Sequence, residues 1–181
     1  MTAGFKGRSS SEEAKAAFDA RVDFMRGAWH VDRTTIGERC ESEIEKILAY
    51  WLLTIMADFD DRSCDFPMLL DGFSPGPASS GDFCVIVPQF RFKTYRLDFA
   101  IFYRCSSWDR PAMIAIECDG HDYHDGTKEA AERDKKRNRA LTTAGWHVLR
   151  FTGREIHRNP RACAEDVEGL LTALYAGDIA R

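Results

Sequence analysis

Three carboxylates stand where an apolar strand would be expected to carry none. Asp98 lies inside Tyr95-Arg96-Leu97-Asp98-Phe99-Ala100-Ile101-Phe102, and Glu117 and Asp119 close the run Ile114-Ala115-Ile116-Glu117-Cys118-Asp119-Gly120. A carboxylate inside such sequence is costly to bury without a partner. When several acids converge, a divalent cation is the usual partner, because hard cations take oxygen ligands. A basic stretch follows, Glu132-Arg133-Asp134-Lys135-Lys136-Arg137-Asn138-Arg139. The pattern predicts metal-assisted chemistry beside a surface suited to an anionic substrate.

Phosphodiester hydrolysis fits that description. It needs a polarised phosphoryl group, an activated water and a neutralised leaving oxygen, and one or two divalent metals supply all three. Magnesium keeps several waters and asks for one or two carboxylates. Asp98 and Glu117 are nineteen residues apart on what read as adjacent strands, so their side chains can meet at one sheet end. They are the expected metal ligands, with the Cys118 carbonyl as a further oxygen donor; pairing of Asp98 with Arg96 or Arg150 is the structural alternative. Asp119 is either a third ligand or the cap of the Asp-Gly turn. An unperturbed histidine titrates near neutrality, so His124 is a candidate general base or leaving-group acid, or else a histidine held by a structural hydrogen bond. Asp134 shares a helical face with Ala130, Asn138 and Leu141, and an acid on an apolar face implies a partner such as His124 or an arginine. Glu45 reads as a site acid or an ordinary helix acid, and Gln89 as a contact of Glu117 or the water or as an exposed strand polar. Lys128 reaches the site or is solvated, while Arg133, Lys136 and Arg137 are expected to face solvent or phosphate. Trp146 and Tyr123 read as core rather than base-stacking residues.

The elements that must position these groups follow from periodicity. Ser10-Ser11-Glu12-Glu13 caps a helix carrying Ala14, Ala17, Phe18, Val22 and Met25 to about Arg26, with Gly27 as the stop. A second helix runs from about Cys40 to Ala57, with Ile44, Ile47, Leu48, Trp51, Leu52 and Ile55 on one face. Residues 58–82 hold three prolines and three glycines and read as a long loop or lid. Strands are expected over 83–92, with Pro88 marking an edge or bulge, and over 95–104, joined by a Lys93-Thr94 turn. The unbroken apolar run 112–118 reads as a central strand. A helix over 127–144, a strand over 146–151 and a helix over 160–176 complete the chain. The order α-α-β-β-β-α-β-α specifies an α/β fold, an α+β mixed sheet of about four strands with helices packed on it. Residues 1–38 are expected to form an N-terminal tail and helix, and residues 39–181 the catalytic domain.

The 181-residue chain is 44% hydrophobic and 30% charged, ordinary for a soluble globular protein. No apolar run approaches the ~18 residues a membrane span needs, and Met1 to Arg8 lead into polar sequence with no signal-peptide stretch, so a cytoplasmic location is expected. The six cysteines form no C-x-x-C pair and no zinc-ligand spacing. The net charge is −4, yet residues 128–161 hold ten Lys/Arg against four Asp/Glu. Such asymmetry points to a polyanion-facing surface.

Taken in order, these motifs resemble the PD-(D/E)XK restriction-endonuclease-like superfamily, and within it the branch related to the very-short-patch-repair endonucleases. The resemblance spans roughly Glu41 to Leu171. It rests on Ser42-Glu43-Ile44-Glu45, Gln89, Arg96-Leu97-Asp98-Phe99, Ile116-Glu117-Cys118-Asp119-Gly120 with Tyr123-His124, the 132–138 helix segment and Gly145-Trp146-His147-Val148-Leu149-Arg150-Phe151. It implies a DNA endonuclease, repair- or restriction-like, using Mg2+ with Mn2+ as substitute. Asp98 and Glu117 then take the places of the family's strand aspartate and post-strand glutamate, and Glu45, with Glu41 as the less favoured substitute, that of its helix glutamate. His124 and Asp134 match the histidine and helix aspartate of the repair branch. Asp119 stands where the superfamily has a lysine, and Leu97 where it has a proline. The competing readings are a non-catalytic nucleic-acid-binding protein of the same fold, and a nuclease acting on RNA or single strands. Assembly is left open between a homodimer and a larger repair or restriction complex.

Overall fold

A computed structural model describes residues 10–24, 38–56, 68–69, 82–120 and 128–180 of the chain. Helix α1 (Ser11–Phe24) and helix α2 (Glu43–Met56) precede a two-residue strand β1 (Met68–Leu69). Strands β2 (Phe83–Phe92), β3 (Tyr95–Arg104) and β4 (Ala112–Asp119) follow. Helix α3 (Lys128–Thr143), strand β5 (Trp146–Thr152), a short helix α4 (Gly153–Arg158) and helix α5 (Pro160–Ala176) complete the order. The strands form one sheet in the order β1-β2-β3-β4-β5. β3 runs antiparallel to both of its neighbours, β2 and β4, while β1 on β2 and β5 on β4 are parallel.

Caps set the helix starts. Ser10 is an N-cap of α1: its hydroxyl accepts from the Glu13 amide at 3.3 Å, and the Glu13 carboxylate accepts from the Ser10 amide at 3.1 Å, a reciprocal capping box. Ser42 caps α2 through its hydroxyl, which accepts from the Glu45 amide at 3.3 Å, so α2 begins three residues beyond the expected Cys40. Pro160 opens α5 behind the Asn159 cap, and left-handed Gly177 closes it. Gly145, at φ 83°, performs the turn between α3 and β5.

The sheet is covered on both faces. On one side α1, α2 and α5 pack over Ile86, Phe99, Ile101, Tyr103, Ile114 and Ile116. α2 is buried almost all round: Ala49, Tyr50 and Leu53 are inaccessible in addition to the expected stripe, because α1 covers its outer side through Phe18 against Tyr50. The other face packs Val85, Val87, Leu97, Phe102 and Ala115 against Leu141 of α3. Trp146 is 5% exposed and lies within 5.7 Å, centroid to centroid, of Phe90, Phe92 and Phe102. It belongs to the core, as expected.

The sheet breaks phase at one level. In β2, even-numbered Cys84 and Ile86 face the α2 side, yet Phe90 and Phe92 face the α3 side. In β3, Phe99, Ile101 and Tyr103 face α2, yet Leu97 faces α3. The reversal falls on Gln89 and on Asp98. The register is the same on either side, Pro88↔Phe99 and Phe90↔Leu97, with no ladder pair between. The distortion next to Pro88 is therefore a local twist without an inserted residue. Gln89 takes it up at φ 52°, a conformation that is uncommon away from glycine and gathers at functional sites.

Two elements differ from expectation. The stretch read as a loop over 58–82 contains β1 at its centre, which covers the β2 edge; two residues are too few for periodicity to register. The helix α4 is the second, marked in the sequence only by Thr152-Gly153-Arg154-Glu155, an S/T-x-x-E capping-box signature whose box is fully formed. Gly27 and most of 58–82 lie outside the described residues.

Candidate active site

The phase break creates the site. β3 and β4 pair from Tyr103↔Ala112 to Phe99↔Ile116 and then separate. At the point of separation the Asp98 carboxylate accepts from the Cys118 amide at 2.7 Å, replacing a ladder carbonyl. Asp98 is thus clamped beside the end of β4, one residue from Glu117. Glu117 is 4% exposed, one of two buried acids among the described residues; the other is Glu45 at 7%.

Burial dominates the electrostatics. It pushes the Glu117 carboxyl up to about 7, against the opposing pull of Arg137 and with the Asp98 charge adding to the rise. Asp98 is also held above the ordinary carboxylate range, chiefly by burial; the Cys118 amide opposes this and the Glu45 charge adds to it. Neighbouring Cys40 is pushed up to about 12 by burial first and then by Glu45. The pocket is one that disfavours negative charge and yet concentrates carboxylates.

The Glu45 carboxylate is anchored by three donors. It accepts from the Ser42 hydroxyl at 2.6 Å, the Glu41 amide at 2.9 Å and Gln89 Nε2 at 2.8 Å. The first two fix the start of α2, and the third ties that helix to the distorted residue of β2. Gln89 therefore contacts Glu45 instead of the expected Glu117. Its Oε1 is buried with no hydrogen-bond partner, an acceptor left over in the site.

The basic residues divide into two groups. Arg133, Lys136 and Lys128 are exposed on α3. Arg137 instead turns inward, ion-paired with Glu117 and 20% exposed at its side chain, and it donates to the Arg96 carbonyl at 3.2 Å. Arg150, opposite Glu117 in the β4–β5 register, reaches Asp119 at 3.9 Å and donates to Asn138 at 2.8 Å. Arg96 forms a two-pronged pair with Glu41 at 2.7 and 2.8 Å instead of pairing with Asp98. Asp134 is half-buried and lines a cavity of about 410 Å³ with Thr94, Tyr95, Arg133, Lys136 and Arg137. His124, with His121 and Tyr123, lies outside the described residues.

The inward role of Arg137 escaped the sequence reading, which grouped it with Arg133 and Lys136. The signal was present: Asp134, Arg137, Asn138 and Leu141 form one i, i+3, i+4, i+7 stripe, and Leu141 is fully buried.

Among the described residues no three His, Cys, Asp or Glu side chains form a metal-ligating cluster. Two carboxylates still suffice for a hard cation that retains its waters. Asp98 and Glu117, with the Cys118 carbonyl at the same strand end, make an oxygen donor set whose carboxyls stay raised despite the pull of Arg137, Arg96 and Arg150. This donor set fits a divalent ion.

A mixed sheet flanked by helices, with an acid clamped where two strands part and a buried acid on the next strand, is a restriction-endonuclease-like architecture. Residues 82–171 match the family model REase_MTES_1575, a restriction-endonuclease-like family. The matched segment holds Gln89, Asp98, Glu117, Asp119 and Arg137, and it supports placement in the PD-(D/E)XK superfamily and the nuclease class. No curated protein and no solved structure shows a match to the chain. No helix among the described residues is long and apolar enough to cross a membrane.

Proposed function

We propose that this protein is a metal-dependent endonuclease that hydrolyses DNA phosphodiester bonds, of the repair or restriction type. The observation that carries the proposal is the pairing of half-buried Asp98 with buried Glu117 at the point where β3 and β4 separate. Asp98, Glu117 and the Cys118 carbonyl would hold Mg2+, with Mn2+ able to replace it. Bound there, such an ion supplies Lewis acidity toward the phosphoryl group and lowers the pKa of its water.

The chain's own residues supply the rest. The Cys118 amide fixes the Asp98 carboxylate, so the ligand is pre-oriented and loses little rotamer freedom when used. Glu45 holds Gln89 in its twisted conformation and leaves Gln89 Oε1 as an acceptor for a water proton. Asp119, in the place of the superfamily lysine, and His124 are the candidate proton acceptors. Asp134 is assigned to the rim of the site. Lys128, Arg133, Lys136 and Arg137 provide positive charge for the nucleic-acid backbone.

The second reading is a nucleic-acid-binding protein without catalysis, in which the Arg137–Glu117 pair is a permanent structural bridge. Incubating the purified protein with supercoiled plasmid, single-stranded DNA and RNA in Mg2+, Mn2+ and EDTA separates the readings. The nuclease reading expects cleavage in the metals and none in EDTA. Binding without cleavage on every substrate and metal supports the second reading.

A further inference from the structure

Arg137 stands between a buried carboxylate and a basic cavity. On one side is Glu117, buried and directly ion-paired with Arg137, with Arg150 exerting a weaker pull on it. On the other is the cavity of about 410 Å³ between the β2–β3 turn and α3, lined by Thr94, Tyr95, Arg133, Asp134, Lys136 and Arg137 itself. Arg133 and Lys136 are exposed at its rim. The guanidinium is not saturated where it stands: one terminal nitrogen serves both Glu117 and the Arg96 carbonyl, while Nε is buried with no hydrogen-bond partner.

A guanidinium presents its donors as a planar fork that matches phosphate as well as carboxylate. A buried pair of this kind is held by the penalty of leaving either charge alone more than by its net attraction. A divalent ion at Asp98 and Glu117 would remove that penalty for Glu117 and repel the guanidinium at the same time. The nearest built alternative for Arg137 is then an anion in the adjoining basic cavity.

We propose that Arg137 is an exchangeable counterion, paired with Glu117 in the metal-free chain and transferred to a backbone phosphate in the cavity beside α3 when Glu117 is otherwise neutralised. This rests on the nucleic-acid reading above. It assigns the cavity as a phosphate subsite. It makes Arg137 a positioning residue that couples occupation of the acidic site to grip on the substrate.

The exchange is testable in EDTA, without cleavage. Affinities for a labelled DNA duplex and a labelled single strand are measured for the wild type, Glu117→Gln, Arg137→Met and the double variant, with folding checked by circular dichroism. Glu117→Gln frees Arg137, and tighter binding by roughly tenfold is expected, the size of one charge-assisted hydrogen bond. In the Arg137→Met background the same change should gain less than about twofold, since only the loss of a negative charge remains. If Arg137→Met leaves Glu117 too exposed to repulsion to fold, Arg137→Gln replaces it on both arms. Equal gains in the two backgrounds, or no gain in either, overturn the exchange while leaving the nucleic-acid reading intact. Failure of all four proteins to bind either DNA overturns that reading, and the exchange with it.

Discussion

Replacing Glu117 by glutamine should stabilise the metal-free protein, and only above a defined pH. The carboxyl has an ordinary value of 4.5 and is pushed to about 7 in the fold, mainly by burial. Because the folded value is the higher one, the native state binds the extra proton. The favourable contribution is complete below pH 4.5 and is lost as pH rises through 7. At roughly 1.4 kcal/mol per pH unit the full loss is about 3 kcal/mol. The opposing pull of Arg137 is already contained in that value, and Arg137, 20% exposed, keeps the Arg96 carbonyl as an acceptor in the variant. A chain of this size shifts its Tm by about 2–4 °C per kcal/mol. In EDTA, Glu117→Gln should therefore match the wild type near pH 4.5 and exceed it by about 6–12 °C at pH 8. Differential scanning fluorimetry across that range is the assay. Saturating Mg2+ at pH 8 should then raise the wild type, by about 2.7 kcal/mol at a hundredfold excess over Kd, and leave the variant unmoved. A variant less stable than wild type at pH 8, or a difference independent of pH, would refute the account of Glu117 as a buried acid awaiting a cation.

Three further outcomes follow from named contacts. Glu45→Ala removes acceptors for Ser42, the Glu41 amide and Gln89, so urea unfolding should show a loss of about 3 kcal/mol; a loss below about 1 kcal/mol contradicts the anchoring role. Trp146→Ala empties the centre of a cluster with Phe90, Phe92 and Phe102 and should reduce stability by about 3–5 kcal/mol, measured the same way, with a near-neutral result placing the indole outside the core. Exposed Arg133 and Lys136 changed together to alanine should flatten the slope of log affinity against log salt by about two, and an unchanged slope would move the DNA path away from α3.

Most of the fold could be read from periodicity, because its elements obey their local rules. β2, β3 and α5 occupy the expected residues, and α3 ends where Gly145 requires it. The misses have physical causes. β1 is too short to carry a period, and it exists only because β2 offers an edge. α2 buries Tyr50 and Leu53 as well as its main stripe because α1 lies across it, a tertiary fact invisible to a single-helix pattern. The site was legible in its acids and illegible in its cations. Asp98 and Glu117 stand out because carboxylates interrupt apolar strands. Arg137 does not stand out among six Lys/Arg on one helix, since its direction depends on where Leu141 meets the sheet. The twist at Gln89 and Asp98 was signalled only by Pro88, which marks a disturbed strand without saying that both strands reverse phase together.

The central claim is that Asp98 and Glu117 hold the ion that drives phosphodiester cleavage. The most direct measurement is plasmid nicking in Mg2+ by wild type, Asp98→Ala and Glu117→Ala, purified identically and matched for folded fraction by circular dichroism. The account predicts metal-dependent nicking by the wild type and a fall of at least about a hundredfold in each variant, with near-native spectra. Undiminished nicking by either folded variant would contradict the assignment.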